Sequence, residues 1–553
     1  MTEKAGGLLR GAPAPNDPDP ILESYDGRYT HLMKLFKGNI LTVDANDSVC
    51  RYLVEDRGQI LYVGNEEPKS LNRMEVVDLT GKTIVPAFVD SHQHFASFAM
   101  FNAGLNVMNA ESNEEIMEMI REFVGRSNAK ILTAFGASPY SVREGRLLSR
   151  EEMDRVCPDR PMMMCKYDGH ACVVNTPLLE LIDKKVKDLR GYHPDTGEMN
   201  QEAFFAVSDY ISGSLSIPDL VRNMQGAVDY MAEHGIGMVH SVSGIGFAMN
   251  LDISLEKWFG RGLDGDFQLR IFAQSLDPKV ATRRGFPRIG GCFACALDGC
   301  FGSKDAALNE PYEGTTDDYG VLYYTDEQVI DFCKKANRAG LQIEVHAIGD
   351  RAFDQAARAL KAALDDYPRE DHRHGIIHDC MVTEEGLAIC SEYHIQMPMQ
   401  SAFIGWKQEP DEYLETILGQ RAQHLNELRR IWDAGIVISA GSDGPCTDPD
   451  PISWIDRAVN HSDESQRLTV QEALRMCTYN GAFVTFDEEE RGSLEIGKIA
   501  DMAILSGDPY TVDPSEIKDI QVEGLYLSGR PYEKQHSHFA ATILRGMRGK
   551  GKI

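Results

Sequence analysis

The chain has 553 residues, 42% of them hydrophobic and 25% charged, an ordinary balance for a folded protein with room for a full barrel and an accessory domain. Lys and Arg number 56 against 85 Asp and Glu, a formal net charge of −29. That excess of acid argues against nucleic acid or an anionic membrane surface as a partner, and no run reads as a membrane span.

Residues 1–30, rich in Pro, Asp and Gly and without an apolar core of signal-peptide length, read as a disordered lead-in. The 12 cysteines are too sparse for a disulfide scaffold, and several (Cys165, Cys172, Cys380, Cys390) sit in apolar runs. Reduced, packed thiols in a cytoplasmic protein are the expectation.

Short alternating strands follow in HLMKLFKGNILTVD, QILYVG and EVVDLTGKTIVP, and again near the other end in GSLEIGKIADMAILSGDP and IQVEGLYLSGRPY. Residues 31–85 and 488–535 are therefore predicted to form one small discontinuous β-sandwich. Between them, 86–487 alternates apolar strand-like runs such as FQLRIFAQS, LQIEVHAIG and IVISAGSD with helical patterns such as TDEQVIDFCKKANRAG. Repeated β then α implies parallel strands with crossover helices. The spacing predicts an α/β fold, a (β/α)8 TIM-type barrel; a doubly wound open sheet shares the pattern. The stretch from about 103 to 236 is long for one connection, and its helical pieces predict an inserted α-rich subdomain. Residues 536–553 form a basic tail, either a solvated end or a contact for an acidic neighbouring subunit. A homodimer is the default assembly.

The chemistry-bearing residues recur at strand ends. TIVPAFVDSHQHF places His92 and His94 two apart at the end of an apolar strand, so that both imidazoles share a face and can reach one metal. LQIEVHAIGD ends a strand on His346, HGIIHD on His378 and IVISAGSDG on Asp443. Catalytic groups of parallel barrels lie at the carboxyl ends of strands, and core packing rarely places five ligand-type residues at four such ends.

These stretches, with KYDGHACVVN, LDGCFGSKDAAL, EPYEG and VISAGSDGPCTDPDP, resemble the third amidohydrolase family of the amidohydrolase superfamily over most of the chain. The resemblance implies a divalent-metal hydrolase acting on an amide-type C–N bond of a small molecule, N-substituted amides or formamides among the candidates. It implies one metal on His92, His94 and Asp443, a second on His346 and His378, and Asp443 as the base that later protonates the leaving amine. Zinc heads the candidates, with one or two ions per chain; Mn, Fe and Ni share the ligand preferences.

The chain departs from the family at one position. A carboxylated lysine often bridges the metals four residues before the Asp-Gly of LDGC, where this chain has Ala294. Lys166, in the apolar run RPMMMCKYDGH, is a substitute candidate, since burial lowers an amine's pKa and a neutral amine can form a carbamate. The alternative is a lysine paired with Asp168. The family match makes His170 and Asn175 substrate-binding candidates, with Asp298 and Glu202 weaker ones; structural roles stand beside these. Asp350 reads as a helix N-cap, and Gln396 and Gln400 as loop residues that could border the pocket. Cys292 and Cys295 form a CxxC with no second pair and read as packed thiols; Cys300 could line the pocket. Rival functions are the same site acting on a cyclic amide, ester or lactone, an isomerase or hydratase, and a non-catalytic binding protein on this scaffold.

Overall fold

Short strands buried on both faces need helices on their outside, and the chain supplies them in alternation. Six strands hydrogen-bond in order into one parallel sheet: Phe88–Gln93, Ile236–Ser243, Gln268–Ala273, Arg288–Ala296, Gln342–Ala347 and Gly375–His378. The seventh and eighth, Met397–Met399 and Ile438–Ala440, pair parallel with each other. A parallel bridge from Gly375 to Gln396 ties the sixth to the seventh, and one from Gln93 to Gly444 ties the first to the turn after the eighth. The ring so formed is a TIM-type barrel. The computed structural model describes residues 32–69, 74–244, 251–263, 265–534, 539–549 and 551–553; the expected lead-in, 1–30, lies outside the described residues.

The helices that cover the barrel carry the sequence signals expected of them. Asp326–Arg338 starts on a capping box in which Thr325 and Gln328 satisfy each other's backbone N–H. Asp350–Asp366 turns Phe353, Ala356, Ala357 and Leu360 inward at helical spacing. Its N-cap is Gly349, not Asp350 as the sequence suggested. Asp350 instead opens the first turn and accepts from the backbone N–H of Arg351 and Asn309.

Strands from the two ends of the chain meet in one sheet, ordered Arg530–Pro531, Val522–Leu527, Met502–Leu505, Met74–Pro86, Met33–Leu41, Val49–Asp56 and Gln59–Gly64. These strands form one hydrogen-bonded sheet, and its edge strand Gln59–Gly64 meets the chain again through an antiparallel bridge from Gln59 to Ile499. The 13-residue strand Met74–Pro86 joins the two ends of the chain in it, pairing with Met33–Leu41 on one side and with Met502–Leu505 on the other.

The inserted region is α-rich as expected, with the helices Asn113–Arg126, Arg150–Val156, Thr176–Val186 and Gln201–Ser214, but helices are not all it contains. It holds a six-stranded sheet that includes Leu132–Ala137, Met162–Lys166 and Ala171–Val174, with its own apolar core around Ile116, Ile120, Met153 and Met164. LTAFGA and MMMCK are apolar without alternation, because helices cover both of their faces. The helix Ile217–Glu233 belongs to the barrel instead, packing with Phe95 and Phe98 in the main core. The basic tail is not a solvated end. Its helix, Phe539–Arg548, lies so close to the helix Leu251–Gly262 that a Cβ on Gly546 would meet the Trp258 carbonyl at 1.6 Å. Among the described residues no helix is long and apolar enough to cross a membrane.

One buried ion pair fastens the barrel to the segment that follows its last helix. Arg270, on the third strand, donates through Nε and Nη2 to the two oxygens of Asp487, each at 2.8 Å. Burial would raise the Asp487 carboxyl, but the Arg270 guanidinium holds it at about 2. Replacing Asp487 by Ala leaves a buried guanidinium unpaired and should cost about 3–5 kcal/mol, read as a fall in the thermal unfolding midpoint. Because the folded carboxyl lies below its ordinary 3.8, the stabilisation is complete above that value and is lost as pH falls toward 2. An Asp487→Ala protein as heat-stable as the parent at pH 7 would show that the pair contributes nothing.

Candidate metal centre

The barrel's carboxyl ends bring the five expected donors into one place. His92 lies on the first strand and His94 just beyond it, His346 and His378 end the fifth and sixth strands, and Asp443 lies three residues past the eighth. His92, His94, Cys292 and Asp443 form one buried group and Cys292, His346 and His378 a second, the donor atoms of each lying within 4.8 Å of one another. Two donors sit on left-handed backbone, His378 at φ 80° and Asp443 at φ 52°. Non-glycine residues persist there only where the surroundings enforce it, often at functional sites.

Cys292 is common to both groups, and the sequence reading as a packed thiol is corrected here. Its Sγ lies 3.2 Å from His92 Nε2 and 3.3 Å from His378 Nε2. The cause is a wide bulge in the fourth strand. Gly291 pairs with Val345 and Ala296 with His346, so Cys292, Phe293, Ala294 and Cys295 have no counterpart on the fifth strand. A bulge breaks the alternation and re-aims side chains. Gly290 makes it possible: φ is 120°, and a Cβ would meet the Glu344 carbonyl at 1.8 Å. The signal in the sequence was GGCF, a glycine pair where a barrel strand should read branched and apolar. Cys295, the other half of the CxxC, packs in the main core.

The donors fit a metal. Bonds of 2.0–2.3 Å in a tetrahedral shell place neighbouring ligand atoms about 3.3–3.8 Å apart. His92 Nε2 is 3.2 Å from Asp443 Oδ1 and from Cys292 Sγ, and His94 Nε2 is 3.3 Å from Asp443 Oδ1. Burial lowers His92 below its ordinary value and His378 well below it, so both imidazoles are neutral, the form that binds metal. Burial would raise Asp443, yet the adjacent His92 and His94 imidazoles hold it well below the usual carboxylate range. Burial, and then the Asp443 charge, push the Cys292 thiol up; a metal would have to displace its proton.

A second layer orients these ligands. Gln400 Oε1 lies 2.5 Å from His378 Nδ1, which fixes the N–H there and leaves Nε2 to face Cys292. His346 Nε2 lies 3.2 Å from the Gly299 carbonyl and 3.4 Å from Asp298, while its buried Nδ1 has no hydrogen-bond partner. Asp298 accepts from the backbone N–H of Ala307, Ile348 and Gly349. It therefore braces the His346 turn while also lining the main cavity. Sequence reasoning missed Asp90, which accepts from Ser442 Oγ and N and from Gln93 Nε2.

The remaining candidates divide. Lys166 takes the paired alternative: its Nζ is 2.7 Å from Asp168 Oδ2 and 3.3 Å from the Gly302 carbonyl. Burial would lower the amine, but Asp168 holds it above its ordinary value, and a protonated amine does not attack CO₂. Lys166 and His170 both line a cavity of about 1220 Å³ over the donors, as do Asp168 and Cys300. Asn175 is elsewhere. It caps the helix Thr176–Val186, accepts from Met162 N and donates to the carbonyls of Cys157 and Arg160, so its side chain is structural and not a substrate contact. Glu202 pairs with exposed Arg190.

Comparison with known proteins places this architecture. A model described as "Amidohydrolase family" matches residues 75–532. The N-substituted formamide deformylase of Arthrobacter pascens is 24% identical over 552 residues, covering 90% of this chain and 97% of that protein. Protein LONG AFTER FAR-RED 3 of Arabidopsis thaliana is 23% identical over 539 residues, 89% of this chain and 90% of that one. Among solved structures, an uncharacterized metal-dependent hydrolase from Pyrococcus furiosus shares the fold with a TM-score of 0.70 at 24% identity, covering 87% of this chain and 100% of that one. With the family match running through both the terminal sheet and the barrel, the chain belongs to the amidohydrolase family.

Proposed function

We propose that the protein is a metal-dependent hydrolase that cleaves an amide-type C–N bond in a small molecule, in which His92, His94, Cys292 and Asp443 would hold one divalent metal and Cys292, His346 and His378 a second. The observation that carries this is the sharing of Cys292 by two donor groups, one His-His-Asp and one His-His. Nitrogen, sulfur and carboxylate donors together favour zinc over magnesium or calcium. The family and the relative named N-substituted formamide deformylase support the amide reading.

A divalent metal bound here supplies Lewis acidity that polarises the scissile carbonyl and makes hydroxide accessible near neutral pH. The chain supplies the rest. Asp443, ionised between His92 and His94, is placed to take a proton at its carboxylate and return it to the departing amine. Asp298 and Gln400 keep His346 and His378 turned toward the centre. The donors are buried at the floor of a chamber of small-molecule size.

Three outcomes test this. Protein purified without chelator should contain about two metals per chain, and Cys292→Ser about one or fewer. Cobalt-loaded parent protein should show a thiolate-to-cobalt charge-transfer band that Cys292→Ser lacks; a cobalt protein without that band overturns the thiolate ligand. Asp443→Asn should lower turnover of a screened amide by at least about 100-fold, with metal measured alongside, and full activity would rule out the proton role.

A further inference from the structure

Two aromatic walls rise beside the donors, from parts of the chain far apart in sequence. On one side the Phe293 ring lies 5.0 Å from the His94 ring, 5.6 Å from that of His170 and 6.2 Å, edge-on, from Phe205. On the other, Phe403 stacks 6.0 Å from the His378 ring, and Trp406 stacks 4.9 Å from Phe403. Phe293, Phe205, Phe403 and Trp406 all line the main cavity, and none of them is fully buried. Core aromatics would be covered; these keep apolar faces toward the space a substrate must enter.

Phe293 is held there against its backbone preference. It directly follows Cys292 in the bulge and has φ 47°, a left-handed conformation that disfavours a bulky side chain. Such a residue persists where its surroundings over-determine it. Phe293 lines both the main cavity and a small one of about 60 Å³ walled by Met100, Phe101, Phe135 and Phe204. Two charged or polar pairs of the cavity wall are engaged with one another, Lys166 with Asp168 and Tyr323 with Asp305. The aromatic faces beside the donors are suited to the part of a substrate beyond its reacting bond.

We propose that Phe293 and Phe403 form the specificity subsite of this centre and that its substrates carry a flat apolar group, an aryl or arylalkyl substituent, on the scissile amide. The subsite deepens the metal-hydrolase reading and rests on it for the position of the reacting bond. Aromatic rings prefer offset or edge contacts at centroid separations of about 4.5–7 Å, and both walls offer such faces beside a metal-ligand imidazole.

Hydroxamates separate the subsite from the metal reading, because one end chelates metal and the other end can be varied. Isothermal titration of the metal-loaded protein with benzohydroxamate and with acetohydroxamate should show the aryl compound binding about 10-fold more tightly. Phe293→Leu and Phe403→Leu should each bring the two affinities to within about threefold, with metal content unchanged, and Phe293→Tyr should keep the preference. Equal affinities in the parent, or an undiminished preference in both Leu variants, overturns the subsite. Acetohydroxamate failing to bind while the aryl preference persists would leave the subsite standing and count against the metal centre. Binding of neither compound overturns both.

Discussion

Closure of the barrel between its first and eighth strands is the constraint on which the centre depends. His92 and His94 come from one of these strands and Asp443 from the turn after the other, so the first donor group exists only while that seam is shut. Asp90 shuts it. Buried on the first strand, its carboxylate accepts from the backbone N–H and hydroxyl of Ser442, next to Asp443, and from Gln93, between the two histidines. Ser91 donates across the same seam to the Ala440 carbonyl, and the Asp443 N–H donates to the His92 carbonyl. A buried carboxylate costs free energy unless its oxygens are satisfied, and here the satisfaction couples the two strands that carry the ligands.

The barrel and most of the centre were legible in the sequence for a simple reason. Strand ends are marked by an apolar run that stops, and the ligands stand where those runs stop: SHQH, EVHA, IIHD and ISAGSD. Cys292 was not legible because its position depends on a bulge, and no strand period survives four unpaired residues. Asp90 and Asp298 were hidden for another reason. What they do depends on backbone N–H groups from other turns, Ser442 in one case and Ala307, Ile348 and Gly349 in the other. Asn175 erred in the opposite direction: its motif pointed to the pocket, while its hydrogen bonds go to the backbone of Cys157, Arg160, Met162 and Leu178.

The inserted region illustrates how burial conceals secondary structure. MMMCK is covered on both faces and carries no alternation, so only its helices announced themselves. Yet this concealed sheet sets the chamber's outer limit. The Met162–Lys166 strand ends at the Lys166–Asp168 pair, and the helix Gln201–Ser214 delivers Phe205 to the aromatic wall. The barrel floor thus supplies the donors, and the insertion helps to decide what reaches them.

A cysteine shared by two donor groups constrains the backbone that carries it. A cysteine is short, so the backbone itself must approach, and the fourth strand does so through the bulge that Gly290 and Gly291 permit. The same distortion leaves Phe293 at φ 47° with its ring against His94. The residue between the donor groups and the aromatic wall beside them are therefore consequences of one local backbone choice. A return to a regular strand at this point would withdraw both together, which ties the make-up of this centre to the shape of the space above it.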